Sequence, residues 1–185
     1  ELIYFKNKFP KARILCFEPS KLAFRFLKKN LSQFSQCKAV NSALAGKKGK
    51  IILKTSVAAS AADISTSASK GIAKLLWKDL KLKKETAKAV KLSSYIKKGE
   101  YVDFLALDVE GLEYEVLIDL ARSKKLGQIR QAFVEYHHHE GNSFGKIVNI
   151  LIENRFKLIS SGDARPPLTR FKNKYYIAYF WAYRD

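Results

Sequence analysis

Residues 102–113, VDFLALDVEGLE, form the stretch that decides the fold. Its first half, residues 102–107, is a short apolar run of the kind that forms a buried parallel strand. Gly111 permits a tight turn, because glycine adopts backbone angles that other residues avoid. Residues 112–126 predict the helix that follows. The stretch therefore predicts a strand that turns directly into a helix, which is the repeating unit of α/β proteins.

The same alternation of strand and helix extends to both sides of this stretch. A helix is predicted after Ser20, a short one at residues 93–98 and another at residues 144–155, and further strands are predicted at residues 13–17, 38–44, 50–55, 87–92, 129–134, 156–160 and 175–183. The last of these strands is long and aromatic, and we expect it to be antiparallel at the end of the sheet. The pattern predicts a mostly parallel α/β sheet with helices on both faces and right-handed crossovers.

Composition limits the classes of partner and compartment. The chain has 185 residues and a net charge of +18, which attracts polyanions if the basic surface is functional and otherwise reflects a solvated, lysine-rich background. We expect weak, nonspecific polyanion binding. No apolar run is long enough to span a membrane. Two cysteines, Cys16 and Cys37, form no recognisable motif and are expected to be reduced thiols in a cytoplasmic protein.

Ionisable side chains follow three of the predicted strands. Glu18 follows the first strand, Asp108 and Glu110 follow the stretch quoted above, and Glu135 precedes three consecutive histidines, His137, His138 and His139. In open α/β sheets, ligands bind beyond the carboxyl ends of the strands. We therefore expect Glu18, Asp108 and His137 to meet in one cleft at that edge.

Residue spacing leaves several roles open for these side chains. Asp108 and Glu110 lie on the same side of an extended segment, and Glu113 lies within reach on the first helical turn. Such carboxylates can position a hydroxyl, act as a base, hold a divalent cation or simply cap the helix. Neighbouring histidines in an extended chain point to opposite faces, so they do not predict a metal triad. One of them is a base or a substrate contact, or all three belong to a solvated loop. We predict no metal site.

The motifs FEPS, NSALAG, LDVEGLEYEVL, VEYHHHEG and ILIENRFKLIS occur in this order between about Ile14 and Ser160. In content and spacing they resemble the FkbM family of methyltransferases. The resemblance implies a Rossmann-like class I methyltransferase that transfers a methyl group from S-adenosylmethionine to a hydroxyl of a sugar, glycan or other natural product. Two alternatives remain, an RNA methyltransferase and a non-catalytic basic binding module derived from the fold.

The resemblance also implies roles for individual residues. Glu18 would bind the cofactor ribose, with Ser42, Ala43 and Leu44 beside the adenine and Asp108 facing the methionine part or the acceptor. The acceptor would meet Glu110, Glu113, Glu135 and His138, and Asp108 and His137 would be catalytic. Nothing before FEPS matches the strand and glycine-rich turn of the family. We therefore expect residues 1–185 to be a single, N-terminally incomplete methyltransferase domain that binds the cofactor weakly.

Overall fold

The computed structural model describes residues 2–56, 62–63, 82–137, 144–161 and 177–184. In this part of the chain the helices are α1 (Leu2–Lys8), α2 (Lys21–Leu31), α3 (Glu113–Arg122) and α4 (Phe144–Glu153), with short 3-10 helices at Leu92–Tyr95 and Leu126–Gln128. The strands are β1 (Ile14–Phe17), β2 (Cys37–Val40), β3 (Ala43–Leu44), β4 (Gly49–Ser56), β5 (Ala62–Asp63), β6 (Leu82–Val90), β7 (Val102–Leu107), β8 (Ile129–His137), β9 (Lys157–Ser161) and β10 (Ile177–Tyr183).

These strands form three sheets within the described residues. The main sheet has the order β7-β8-β10-β9, a second has the order β3-β6-β4-β5, and β1 pairs with β2 alone. The pairs β1–β2, β3–β6 and β7–β8 are parallel, whereas β10 is antiparallel to both β8 and β9, and β4 is antiparallel to β5 and β6. The α/β class and the antiparallel C-terminal strand are confirmed. The expectation of a mostly parallel sheet is wrong, because β4 folds back on β6 and β10 lies between β8 and β9.

The main core lies between one face of the main sheet and helices α3 and α4. Alternate residues of β8 and β10 point to this face and are buried, among them Val134, Tyr136 and Phe180. Leu117 and Leu151, from α3 and α4, belong to the same buried cluster. The position of α3 matters for function, because this helix begins directly after the turn that follows β7.

Aromatic side chains line the other face of the main sheet. Phe104, Phe133 and Trp181 form a continuous row, with ring centroids 5.6 Å apart for Phe104 and Trp181 and 6.3 Å apart for Phe133 and Trp181. Phe5 of α1 stacks on Phe104 at 5.2 Å, so α1 packs on this face. The N-terminal helix is thereby attached to the strand that leads into the quoted turn.

β1 and β7 are both edge strands, and they belong to different sheets. Within the described residues, β1 pairs only with β2 and β7 pairs only with β8. The two strands are therefore not joined directly to each other. The prediction of an N-terminally incomplete domain stays a prediction.

Two predictions from composition can be compared with the structure. Cys16 and Cys37 are both free thiols. Burial, followed by the neighbouring Cys37, raises the pKa of the Cys16 thiol to about 11. None of the helices in the described part of the chain has the length and apolar character needed to span a bilayer.

Candidate functional site

The turn between β7 and α3 has an unusual backbone. Glu110 and Gly111 both have positive φ angles, +53° and +100°. Glycine adopts such angles freely, but glutamate does so at a cost in free energy, and residues of this kind concentrate at functional sites. Oε1 of Glu113 accepts hydrogen bonds from the backbone N–H groups of Val109 at 3.3 Å and Gly111 at 2.9 Å. A buried carboxylate therefore holds this turn in shape.

His137, the last residue of β8, lies at the centre of a group of acids. Its Nδ1 is 3.0 Å from Oε1 of Glu113. Its Nε2 is 3.5 Å from Oε2 of Glu110, 3.7 Å from Oε1 of Glu135 and 4.0 Å from Oδ1 of Asp108. We call these five residues the histidine–carboxylate cluster. Because β7 and β8 are adjacent parallel strands, their carboxyl ends deliver both halves of the cluster to one edge of the sheet.

The charge of the cluster is set by competing effects on His137. Burial disfavours the charged imidazolium, but the hydrogen bond and charge of Glu113, together with the charges of Glu110 and Asp108, outweigh burial and raise the pKa of His137 to about 9. The imidazole is therefore protonated at neutral pH. A single buried cation balances part of the charge of the carboxylates around it.

The four carboxylates of the cluster differ in how far their side chains are exposed to solvent. Glu113 is 0% exposed, Glu135 24%, Glu110 30% and Asp108 56%. Glu113 therefore lies beneath His137, and the contact with an acceptor that the resemblance implies for it stays a prediction. Asp108 is the carboxylate that a ligand can reach most easily.

Tyr179 of β10 was not selected from the sequence. In the antiparallel register it lies opposite Glu135, and the charge and hydrogen bond of Glu135 raise the pKa of its phenol. Alternation within residues 175–183 does not identify this residue. Only the pairing of β10 with β8 places it beside the cluster.

Glu18 lies at the end of β1, as predicted, in a second polar group. Its Oε1 accepts a hydrogen bond from the backbone N–H of Ser20 at 2.8 Å. Burial raises the pKa of Glu18, the Ser20 hydrogen bond opposes this effect, and the nearby charge of Glu85 adds to it. Nδ2 of Asn41 donates to the carbonyl oxygen of Glu18 at 2.8 Å, which ties the end of β1 to the turn before β3.

The residues predicted to lie beside adenine belong to this second group. The Ser42 hydroxyl donates to the carbonyl oxygen of Asn41 at 2.7 Å. The side chains of Ser42, Ala43 and Leu44 are buried, and the backbones of Ala43 and Leu44 pair with β6. All three residues are almost wholly buried, and their role beside adenine stays a prediction.

The structure thus brings together Asp108, Glu110, Glu113, Glu135 and His137 and places Glu18 with Ser42 at the neighbouring strand ends. Convergence of Glu18 with the cluster in one cleft stays a prediction, and His138 lies outside the described residues. The cluster offers carboxylates that can accept a proton. Asp108, Glu110 and His137 also each offer one ligand atom for a cation, and these atoms lie within 4.8 Å of one another.

Comparison with known proteins gives one match. The family model described as the methyltransferase FkbM domain matches residues 2–158. No curated protein and no solved structure matches the chain. The matched range includes Glu18, the turn after β7 and His137, so both polar groups lie inside the family domain.

Proposed function

Because the chain belongs to the FkbM methyltransferase family, we propose that it is an S-adenosylmethionine-dependent O-methyltransferase acting on a hydroxyl of a sugar, glycan or other natural product. S-adenosylmethionine supplies a methyl group made electrophilic by its bond to a positively charged sulfur. The observation that supports this function best is the histidine–carboxylate cluster. It lies beyond the carboxyl ends of two parallel strands, where α/β sheets bind their ligands.

Asp108 is the residue that we propose as the general base. It is the most exposed carboxylate of the cluster, at 56%, so an acceptor hydroxyl can contact it directly. When bound, S-adenosylmethionine would give its methyl carbon to the acceptor oxygen and keep the electron pair of the broken carbon–sulfur bond on sulfur. The hydroxyl proton passes to the Asp108 carboxylate and then to water.

His137 has a different role from the one expected of a free imidazole. It is protonated at neutral pH, because the acids around it raise its pKa to about 9. An imidazolium has no lone pair with which to accept a proton, so in this state His137 is not the base. We assign it a positioning role, in which its charge keeps Asp108, Glu110 and Glu135 close together.

Glu18 is the residue that we propose for the cofactor. One of its carboxylate oxygens accepts the Ser20 N–H, and within the described residues its Oε2 has no hydrogen-bond partner. A carboxylate oxygen at the end of a strand can accept hydrogen bonds from the two hydroxyls of a ribose, as in other nucleotide-binding α/β folds. The residues present therefore fit the ribose part of S-adenosylmethionine, with Asn41 fixing the backbone that carries Glu18.

The substitution Asp108→Asn in the intact protein tests this assignment. We expect turnover to fall by about 10²- to 10⁴-fold, the usual contribution of a general base. Affinity for S-adenosylmethionine, measured by calorimetry, should change little. The assay is transfer of a tritiated methyl group to a panel of monosaccharides, oligosaccharides and hydroxylated natural products.

Asp103→Asn is the matched control for this experiment. Asp103 is an exposed acid of β7 that pairs with Arg130, 3.0 Å away, and its loss should leave turnover unchanged. Unchanged turnover in Asp108→Asn would exclude Asp108 as the base. An equal loss of turnover and cofactor affinity would make it a binding residue only. An intact protein that fails to bind S-adenosylmethionine would contradict the proposed function as a whole.

A further inference from the structure

The distances around Nε2 of His137 are those of ligands that share an ion. Nε2 lies 3.5 Å from a Glu110 oxygen and 4.0 Å from an Asp108 oxygen. A charge-assisted N–H···O bond is shorter, about 2.7–2.9 Å. Two ligand atoms each about 2.0–2.2 Å from one metal ion are separated by about 3–4 Å, depending on the angle between them. The observed separations fall in this range, and the three ligand atoms lie within 4.8 Å of one another.

Glu113 prepares the imidazole to be a ligand. Its Oε1 lies 3.0 Å from Nδ1, and its own position is fixed by the N–H groups of Val109 and Gly111. A histidine that binds a metal through one nitrogen typically donates the N–H of its other nitrogen to a carboxylate, which fixes the ring and makes it a stronger ligand. Here Nδ1 faces the buried carboxylate and Nε2 faces Asp108 and Glu110.

Access to the site comes from the side of Asp108. The His137 side chain is 5% exposed, whereas Glu110 and Asp108 are 30% and 56% exposed. The more exposed carboxylates of Asp108 and Glu110 therefore lie on the Nε2 side of the ring, and the buried Glu113 lies on the Nδ1 side.

We propose that Asp108, Glu110 and His137 form a binding site for a divalent transition-metal ion, held by Nε2 of His137 and one oxygen of each carboxylate. A donor set of one imidazole and two carboxylates suits Mn²⁺ or Zn²⁺ better than Mg²⁺, which prefers oxygen ligands alone. The use of the ion rests on the proposed methyltransferase function. Bound there, the ion would polarise the acceptor hydroxyl as a Lewis acid, and Asp108 would keep its role as the base.

Binding of Mn²⁺ alone tests the site. The intact protein, freed of metal with a chelator, is titrated with Mn²⁺ while the paramagnetic resonance signal of the free ion is recorded, with no methyl donor or acceptor present. We expect one saturable site. Asp108→Asn and His137→Gln should each weaken binding at least about tenfold, and Glu113→Gln should weaken it by about 10- to 100-fold through the orientation of His137.

Asp103→Asn is the control for surface binding, because Asp103 is an exposed carboxylate on the same strand but away from the cluster. Circular dichroism establishes that each variant is folded. If His137→Gln does not fold, Asp108→Asn alone tests the site, because it changes an exposed side chain. No saturable Mn²⁺ binding by the unsubstituted protein, or unchanged binding in Asp108→Asn, would overturn the proposal. Either result leaves the methyltransferase function intact. Saturable binding in a protein that neither binds S-adenosylmethionine nor transfers methyl groups would contradict the proposed function alone.

Discussion

Charges of like sign face each other in two regions of the molecule, and the two regions handle them differently. In the histidine–carboxylate cluster, four acids lie around the buried cation of His137. In the second sheet, Lys50 of β4 lies directly opposite Lys88 of β6, and both side chains are exposed. Water and salt screen the lysine pair, whereas the buried Glu113 needs an opposite charge beside it, which His137 supplies. The comparison shows that burial, and not charge alone, decides where a counter-ion is required.

Glu18 and Glu85 are an intermediate case. Both are half-buried, and Glu85 adds to the effect of burial on the pKa of Glu18. Backbone N–H groups, from Ser20 and Lys21, hold the two carboxylates in place of a cation. The three regions therefore form a series of decreasing burial, and substitutions in each should have decreasing effects.

The largest effect is expected for Glu113→Ala, in the most buried region. The substitution removes the carboxylate oxygen that contacts the buried His137 ring and accepts the N–H groups of Val109 and Gly111. We expect the free energy of unfolding to fall by about 3–5 kcal/mol, the cost of breaking a buried ion pair. Urea denaturation measures this change.

Asp103→Ala, which removes one partner of an exposed ion pair, is the control and should change the free energy of unfolding by less than about 0.5 kcal/mol. If Glu113→Ala costs no more than this control, the cluster does not depend on a buried ion pair. The claim that buried charges depend on a counter-ion more than exposed charges do would then be contradicted.

The sequence predicted the strands and the helix that carry the cluster better than it predicted the contacts within the cluster. β7 was predicted at its observed bounds because residues 102–107 are apolar apart from Asp103 and are followed by Asp108. β8 extends to His137, three residues beyond its predicted end at Val134, because pairing with β10 continues through Tyr136 and His137. Local pattern identifies strands, but long-range pairing fixes where they end.

The site shows the same division between local and long-range information. The spacing of Asp108, Glu110 and Glu113 predicted that these acids are neighbours, and it did not predict that Glu113 is buried beneath a histidine from another strand. The predicted strand 38–44 is two strands, β2 and β3, because Asn41 binds back to Glu18 and breaks the ladder. In both cases the deciding partner lies far along the chain.

A smaller effect is expected in the half-buried region, for Glu18→Ala. Loss of hydrogen bonds from ribose to a charged group should weaken binding of S-adenosylmethionine by about 1–3 kcal/mol. Calorimetry on the intact protein gives the affinity directly. Glu85→Gln is the matched control, because it keeps an oxygen for the Lys21 N–H and removes only the neighbouring charge. Equal weakening in both variants would exclude a direct contact between Glu18 and the ribose.

The smallest effect is expected on the exposed sheet, for Lys50→Glu. The new carboxylate faces Lys88 across the strand pair, and an exposed pair of opposite charges replaces an exposed pair of like charges. We expect a gain of about 0.2–1 kcal/mol in the free energy of unfolding, which salt should reduce. Lys38→Glu, at an exposed position of β2 opposite Leu15, should show no such gain. A gain in Lys50→Glu that persists in high salt would contradict the electrostatic explanation.

The register of β8 with β10 has a consequence for the order in which the protein folds. The cluster comes from one continuous stretch, residues 102–137, in which the parallel pair β7–β8 is joined through α3. Tyr179, which faces Glu135, comes from much later in the chain. Closing a longer loop loses more chain entropy, so contacts between distant residues form slowly. We therefore expect the acids and His137 to assemble early during folding, and Tyr179 to join them in a later, slower step.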